Sequence, residues 1–414
     1  MMTATNVQSL TRITEETVRI RRQLHQHPEL SSQEFETSAL VAKVLREAGL
    51  DVQEQIGGTT GVVGLLHGSR PGRVFALRAD MDALPLEEKS GLPFASLHSG
   101  VMHACGHDMH TAILLGTALA LSEQKSSIQG SIKFIFQPAE ETGKGARQLI
   151  DAGVLHNPQV DAIAALHCWP DLPAGTIGVK SGTLLAASDG FSVRLHGKGG
   201  HAAYPHKSVD AVVIAAAVIQ ALQTIVSRNI SPLDPVVISV TQLNSQPTAG
   251  NVIPAYVDLG GSVRSHDPAT RASLPSAIER IVSGVASSLG GSAEFTYRHG
   301  VPSLHNDPEV TELIARAAAQ VIGPEQVVRL AQPSMGGEDF ARYLDHVPGA
   351  MFRLGTANDN EASRLPLHSQ RLIFDEHAIE TGISILTEIA LQFLTGGSAH
   401  HDSIRTNEPS TAAD

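Results

Sequence analysis

The sequence predicts an α/β fold, with a mostly parallel sheet flanked by helices and interrupted by an inserted α+β domain. Two observations lead to this prediction. In the first part of the chain, short apolar runs typical of buried strands alternate with helical patterns. From about residue 184 the order becomes strand–helix–strand–strand–helix–strand, which is the ferredoxin-like arrangement.

Alternating elements define the first part of the chain. Strands are predicted at 74–79, 131–136 and 161–166, and helices at 14–27, 34–48, 109–122 and 144–152. Thr14 is the predicted N-cap of the first helix, and Gly49 follows the second helix where a C′ glycine is favoured. Because loops after the carboxyl ends of parallel strands converge, we expect the functional residues there.

The inserted block sets the predicted domain boundaries. Its strands are predicted at 191–197, 236–243, 256–264 and 293–300, and its helices at 208–228 and 268–289. We therefore assign residues 1–183 and 297–396 to one α/β domain and residues 184–296 to the inserted domain. Residues 397–414 are polar and aperiodic, so a disordered tail is predicted.

Composition excludes several classes of function. The chain of 414 residues has 30 Lys and Arg against 42 Asp and Glu, a formal charge of −12, which argues against nucleic-acid and anionic-membrane partners. The longest uninterrupted apolar run, 211–219, is far shorter than the roughly 20 residues of a membrane span, so a soluble protein is expected. Two cysteines and an N-terminus without an apolar signal core indicate a cytoplasmic location.

Metal-binding side chains are concentrated in four short segments. These are HACGHDMH at 103–110, QPAEE at 137–141, HCWP at 167–170 and PLHS at 366–369. The second and third directly follow predicted strands, so neighbouring loops can bring them into one crevice. A lone His, a lone Cys or a Glu-Glu pair is usually an ordinary surface or core residue without a metal. Four such segments together predict a site for zinc, manganese, cobalt or nickel.

The same segments belong to a longer series of motifs. They are HQHPEL at 25–30, LRADMDALP at 77–85, MHACGHDMH at 102–110, FQPAEE at 136–141, GKGGHAAYPH at 197–206, GNVIP at 250–254, GGEDF at 336–340 and PLHS at 366–369. In this order they resemble amidohydrolases of the aminoacylase/carboxypeptidase G metallopeptidase superfamily. The resemblance runs from about residue 14 to 396 and is strongest to the branch of hippurate, N-acyl-amino-acid and indole-acetyl-amino-acid hydrolases.

The resemblance implies a site with two divalent metal ions per subunit. The implied ligands are Cys105, His107, Glu141, His167 and His368. Cys105 stands where other branches have a bridging Asp, and a metal-bound thiolate can fill that role. Glu140 matches the general base, and Asp82 matches a carboxylate that orients a ligand His. Other branches have a ligand His at position 80, so the role of Asp80 stays open.

The inserted domain resembles the lid and dimerisation domain of these enzymes, which implies a homodimer or a dimer-based oligomer. His201 matches a His that enters the partner's active site and donates to the oxyanion. Asn251 and Arg264 match lid positions that contact substrate, and an Arg fork suits a carboxylate. The alternatives are a structural His in a Gly-rich turn and an exposed strand Arg.

The implied reaction is metal-dependent hydrolysis of the amide bond of N-acyl amino acids, of the acetyl, benzoyl (hippurate) or indole-acetyl type. The products are a carboxylic acid and a free amino acid, with Glu140 taking the proton of a metal-activated water. One alternative is a hydrolase with Cys105 as nucleophile. The other is a catalytically silent metal-binding relative.

Overall fold

The computed structural model describes residues 4–246 and 249–396, and the predicted tail 397–414 lies outside them. The helices in these ranges are α1 (Ala4–Gln26), α2 (Phe35–Glu47), α3 (His107–Ser122), α4 (Gly145–Asp151), α5 (Ala211–Thr224), α6 (Pro268–Ser288), α7 (Pro308–Ile322), α8 (Ala341–Leu344) and α9 (Ala378–Thr395). The strands are β1 (Asp51–Glu54), β2 (Val62–His67), β3 (Arg70–Asp80), β4 (Gln129–Gln137), β5 (Ala162–Pro173), β6 (Ile177–Val179), β7 (Gly182–Leu185), β8 (Ala187–His196), β9 (Gly200–His201), β10 (Val236–Ser245), β11 (Val252–Ile253), β12 (Tyr256–Ser265), β13 (Ser292–Val301), β14 (Leu304–Asn306), β15 (Val327–Arg329) and β16 (Gly349–Ala357).

An eight-stranded sheet organises the larger domain, in the order β1-β2-β4-β3-β5-β16-β6-β15. Its central strands β4, β3, β5 and β16 pair in parallel. Successive residues point to opposite faces, so Phe75 and Leu77 pack in one core and Val74 and Ala76 in another. Helices α1, α3 and α9 cover the first face, and α4 and α8 cover the second. The predicted sheet flanked by helices is confirmed.

The inserted domain is built on a four-stranded antiparallel sheet in the order β10-β12-β8-β13. One face carries α5 and α6, whose buried residues share a separate core with Phe191 and Val193. Each helix begins at an aspartate, because Asp210 and Asp267 accept hydrogen bonds from the first free backbone amides. Strand β13 continues to Val301, where it still pairs with β8, so this sheet extends beyond the predicted boundary at residue 296.

The N-terminal helix is longer than its sequence pattern predicts. It already includes Ala4 and runs to Gln26, so Thr14 lies inside it. The hydroxyl of Thr14 is buried and has no hydrogen-bond partner among the described residues. The prediction of Thr14 as an N-cap is therefore wrong, because tertiary packing extends the helix by ten residues before Thr14, back to Ala4.

Two helical stretches, Ala211–Asn229 and Ala378–Thr395, are long and apolar enough to cross a membrane by length and composition alone. The second is a core helix, since Ile383 and Ile389 are fully buried against the main sheet. The first buries only one side on the lid sheet. Val212 and Val213 on its other side remain 48% and 56% exposed, so the lid presents an apolar helix face.

We predict that Gly145→Ala destabilises the protein. Gly145 begins α4 behind the loop that follows β4, and a Cβ there would lie 1.6 Å from the carbonyl oxygen of Pro138. The loop must move, so the free energy of unfolding should fall by about 1–3 kcal/mol in denaturant titrations. The control is Gly284→Ala, in an open position of α6, which should gain about 0.5–1 kcal/mol. Equal stability of the two variants would contradict this role of Gly145.

Candidate active site

The candidate site lies past the carboxyl end of β4 and along the second half of β5, beside the N-terminus of α3. The strand predicted at 161–166 is longer in the structure: pairing with β16 extends β5 to Pro173, so His167 lies within the strand and not in a loop after it. Cys105 precedes α3 and His107 is its first residue, so the turn between them must be tight. Gly106 makes this turn with a φ of 91°, and a Cβ on it would lie 3.0 Å from the Cβ of Cys168. Only glycine allows the chain to pass Cys168 here while Cys105 and His107 both face the site.

The five predicted metal ligands converge on one place. The Sγ of Cys105 lies 3.6 Å from Nε2 of His167 and 3.3 Å from Nε2 of His368. The Oε1 of Glu141 lies 3.5 Å from Nε2 of His368 and 3.9 Å from Nε2 of His107. Two groups of three ligand atoms, each within 4.8 Å, share the sulfur: one adds His107 and His167, and the other adds Glu141 and His368. Cys105 therefore lies between two potential cation positions.

Unpartnered polar atoms fit a cation at this place. Nε2 of His107 and Oε1 of Glu141 are buried and have no hydrogen-bond partner among the described residues. Buried polar atoms are normally paired, and these two are ordinary ligands of divalent metals. Backbone carbonyls of Asp82 and Cys168 accept hydrogen bonds from Nδ1 of His107 and His167, each at 2.8 Å. Nδ1 therefore carries the proton, and Nε2 is free to bind metal.

Asp82 positions the acidic loop after β4. Its carboxylate accepts hydrogen bonds from the backbone amides of Glu140 and Glu141, at 3.0 and 3.1 Å, and from the hydroxyl of Ser31 at 2.6 Å. Nδ1 of His107 is farther from this carboxylate, at 3.4 Å, than from the carbonyl of Asp82. The carboxylate thus fixes the loop with the two glutamates more directly than the His ring.

Asp80, which the sequence left without a role, is fully buried behind the cluster. It accepts hydrogen bonds from Nδ1 of His110 at 2.6 Å and from Arg78 at 2.8 Å, and it lies 3.7 Å from Nε2 of His107. Although burial opposes ionisation, His107, His110 and Arg78 hold the pKa of Asp80 well below its usual range. Nε2 of His110 accepts from the backbone amide of Cys168 at 2.8 Å. Asp80 and His110 therefore form a buried hydrogen-bonded layer beneath the ligand cluster, which links β3, α3 and β5.

A second acidic group, Glu338 and Asp339, faces Glu140. Arg78 binds both, at 3.1 and 3.0 Å. Burial, followed by the charges of Glu338, Asp339 and Glu141, raises the pKa of Glu140 well above its usual range. Burial also raises the pKa of Asp339 to about 7 despite Arg78. The GGEDF motif alone indicates no role for its two acidic residues. Their closeness to Glu140 becomes evident only from the fold.

The surroundings of Cys105 differ from those of a nucleophilic cysteine. Burial, with a further contribution from Glu141, raises the pKa of the Cys105 thiol well above its usual range. Reactive cysteines instead sit where nearby positive charge lowers the thiol pKa. A divalent cation would stabilise the thiolate here, so the environment favours a metal ligand.

His368 reaches the cluster from a loop with unusual backbone geometry. Its φ is 67°, in the left-handed region that residues other than glycine seldom adopt. Its backbone amide donates to the carbonyl of Ala104 at 3.0 Å, which ties this loop to the segment before Cys105. Such strained positions concentrate at functional sites.

A cavity of about 490 Å³ opens over the cluster. Its walls include Glu140, Trp169, Arg353 and, from the lid, Arg264. Arg264 is half-buried in β12, and its guanidinium has no hydrogen-bond or ion-pair partner among the residues described. Burial lowers its pKa, so this guanidinium is desolvated but free to receive an anion. Arg353 was missed by sequence reasoning because it lies inside an apolar strand pattern.

His201 and Asn251 are not part of this cavity within one chain. Both are exposed: His201 belongs to the small β9–β11 ribbon of the lid, where it pairs with Val252, and Asn251 directly precedes β11. Nδ1 of His201 accepts from the backbone amide of Ala203 at 3.1 Å, and the carbonyl of Asn251 accepts from Ala202 at 2.9 Å. Neither residue therefore lines the cavity over the ligand cluster within a single chain.

Comparisons with known proteins agree with this geometry. The sequence profile of Peptidase family M20/M25/M40 matches residues 76–392. The chain is 42% identical over 393 residues to an N-acetyl-L-cysteine deacetylase of Bacillus subtilis, covering 94% of this chain and 91% of the relative. It is 46% identical over 291 residues to an N-acyl-L-amino acid amidohydrolase of Geobacillus stearothermophilus, covering 70% and 77%. A dinuclear metal-binding peptidase of the M20 family from Bacillus subtilis superposes with a TM-score of 0.81 at 36% identity, covering 93% and 99%.

We predict that Cys105→Ser loses at least one metal ion per subunit and most activity. A serine hydroxyl resists deprotonation and is a poor bridge between two cations. Metal content measured by atomic emission after dialysis tests this. The control is Cys168→Ala, which changes the other buried cysteine and should keep its metal. Full occupancy in Cys105→Ser would remove Cys105 from the ligand set.

Proposed function

Since the chain belongs to Peptidase family M20/M25/M40 and is a metal-dependent amidohydrolase, we propose that it hydrolyses the amide bond of N-acyl amino acids to a carboxylic acid and a free amino acid. The observation that carries the proposal is one cavity that joins a metal-type ligand cluster to the carboxylate of Glu140 and the unpaired guanidinium of Arg264. Two relatives named for hydrolysis of N-acyl amino acids support this substrate class.

The residues that would hold the divalent metal ions are Cys105, His107, Glu141, His167 and His368, and the sulfur of Cys105 belongs to both groups of potential ligand atoms. Bound divalent cations would polarise the scissile carbonyl and acidify the attacking water. Imidazole, thiolate and carboxylate together suit manganese, zinc, cobalt and nickel. The protein contributes the fixed protonation of His107 and His167, because their Nδ1 atoms are already committed to backbone carbonyls.

Glu140 serves as the general base in this proposal. Its backbone is fixed by Asp82, and its Oε2 lies 3.9 Å from Nε2 of His107, next to the ligand cluster. The carboxylate takes the proton of the attacking water and then delivers it to the leaving amine. Burial and the neighbouring acids raise the pKa of Glu140, and the charge of bound cations would lower it again. The crowded carboxylates thus keep the base poised for both proton transfers.

The lid supplies the substrate contacts. Arg264 receives the carboxylate of the amino acid from above the cluster. His201 of the partner subunit donates to the developing oxyanion, and Asn251 directly precedes β11 of the same ribbon. The exposed Val212 and Val213 of α5, together with Val226 in the turn that follows it, support a homodimer through the lid. Two unpaired cysteines support a cytoplasmic location.

We expect the protein to hydrolyse at least one member of a panel of N-acetyl, N-benzoyl and indole-acetyl amino acids, assayed with each of the four metals. Exhaustive chelation should abolish activity and the metal should restore it. Glu140→Gln should lose about 10²–10⁴-fold in kcat with near-normal metal content, because the amide keeps the shape but not the basicity. Activity that survives chelation but not thiol alkylation would instead support a cysteine hydrolase. No turnover with any metal would support a silent relative.

We predict that two inactive variants complement each other. His201→Ala and Glu140→Gln each damage the site, but a mixed dimer contains one site with both residues intact. Equal amounts under random subunit exchange should restore about a quarter of the sites, as expected for a two-fold dimer. Mixing Glu140→Gln with a double variant of both residues is the control and should stay inactive. A fully exchanged mixture without activity, or a monomeric protein, would contradict the role in trans.

A further inference from the structure

Arg353 lies beside the metal-type ligands on the floor of the cavity. It belongs to β16 and pairs in register with His167 of the parallel strand β5. Its guanidinium carbon is 3.8 Å from the centroid of the Trp169 ring, which also lines the cavity. Trp169 in turn lies 6.1 Å from the ring of His167. Packing on Trp169 therefore holds the guanidinium at the wall of the substrate cavity.

The charge of Arg353 lacks a partner. The residue is only 7% exposed, yet its sole hydrogen-bond acceptor among the described residues is the hydroxyl of Ser334, and Nε is buried without a partner. The nearby carboxylate of Asp171 accepts from the indole of Trp169, at 3.1 Å. Burial lowers the pKa of Arg353 to about 10, so the guanidinium is still charged at neutral pH.

Other buried arginines of this chain are neutralised. Arg78 binds Asp80, Glu338 and Asp339, and Arg21 binds Asp108 at 2.8 Å. A buried charge is costly unless it is paired. Arg353 combines a comparable degree of burial with a free face towards a cavity, so its missing counter-charge fits a ligand that enters this cavity.

We propose that Arg353 binds a second carboxylate of the substrate, so that the enzyme prefers N-acyl amino acids carrying an additional anionic group. This inference rests on the proposed function. Arg264 approaches from the lid strand β12, and Arg353 from the main sheet. Two separate guanidiniums in one cavity suit two separate carboxylates. The second carboxylate belongs either to the amino-acid side chain or to the acyl group.

Matched substrates distinguish these two sources. N-acetyl-glutamate is compared with N-acetyl-glutamine, and N-succinyl-alanine with N-succinamoyl-alanine, using the metal-loaded enzyme. In at least one pair the acid should have a kcat/KM about 10- to 100-fold above that of its neutral amide, as expected for a charge-assisted hydrogen bond in a desolvated site. The pair that shows the preference identifies the source of the carboxylate.

Arg353→Met should abolish this preference and leave kcat/KM for the neutral amides within a few-fold of wild type. Arg353→Lys should keep part of the preference, because it retains charge without the planar fork. The control is Arg329→Met. Arg329 lies on the edge strand β15 of the same sheet, is exposed and is paired with Glu312, so its removal should leave the preference unchanged. Thermal unfolding identifies variants that fail to fold, and Arg353→Gln then replaces Arg353→Met.

The inference is overturned if acid and amide react at equal rates in both pairs, or if the preference persists in Arg353→Met. In either case, hydrolysis of the neutral amides would still support the proposed function. Calorimetric binding of glutamate, glutamine, succinate and succinamate separates the two failures. If no N-acyl amino acid is hydrolysed, tighter binding of an acid than of its amide that disappears in Arg353→Met still supports the inference. Equal binding of acid and amide in both pairs would reject it.

Discussion

The arrangement of this site depends on the crowding of buried carboxylates around a few fixed positive groups. Asp80, Glu338 and Asp339 meet at one guanidinium, that of Arg78, which is itself fully buried. Mutual repulsion would drive such acids apart unless positive charge and hydrogen bonds held them together. The parallel strands supply that constraint, because β3 and β4 end side by side and the neighbouring strand β5 continues past them along the same edge. Positive charge bound on the cavity side would complete the balance.

Much of the fold follows from the sequence because its signals are local. Apolar runs mark β3, β4 and β5, and the change in element order marks the inserted domain. The limits of elements depend on contacts that periodicity does not contain. Packing extends the first helix beyond Thr14, and pairing with β8 carries β13 to Val301. These differences reflect tertiary contacts made by residues distant in sequence.

The candidate site divides in the same way. Segments rich in His, Cys and Glu carry a recognisable chemical signal, so a metal site could be predicted from the sequence, whereas the five ligand positions were implied only by the resemblance to the family. Arg78 and Arg353 carry no such signal, since each lies within a strand pattern among apolar neighbours. Their importance comes from what surrounds the guanidinium, three carboxylates in one case and an open cavity in the other. The proposed role of His201 involves a second subunit, and a single sequence does not position one chain relative to another.

The hydrogen bonds of Asp82 have a mechanical consequence. One carboxylate receives the consecutive amides of Glu140 and Glu141, so the proposed base and the proposed ligand share a single anchor on β3's loop. A movement of the lid relative to the main sheet would leave the spacing of the two glutamates unchanged, because their anchor belongs to the larger domain. The alignment of the proposed base relative to the proposed ligand is therefore set at the edge of the main sheet. A change in the position of the lid would alter access to the cavity but would leave the relative positions of Glu140 and Glu141 unchanged.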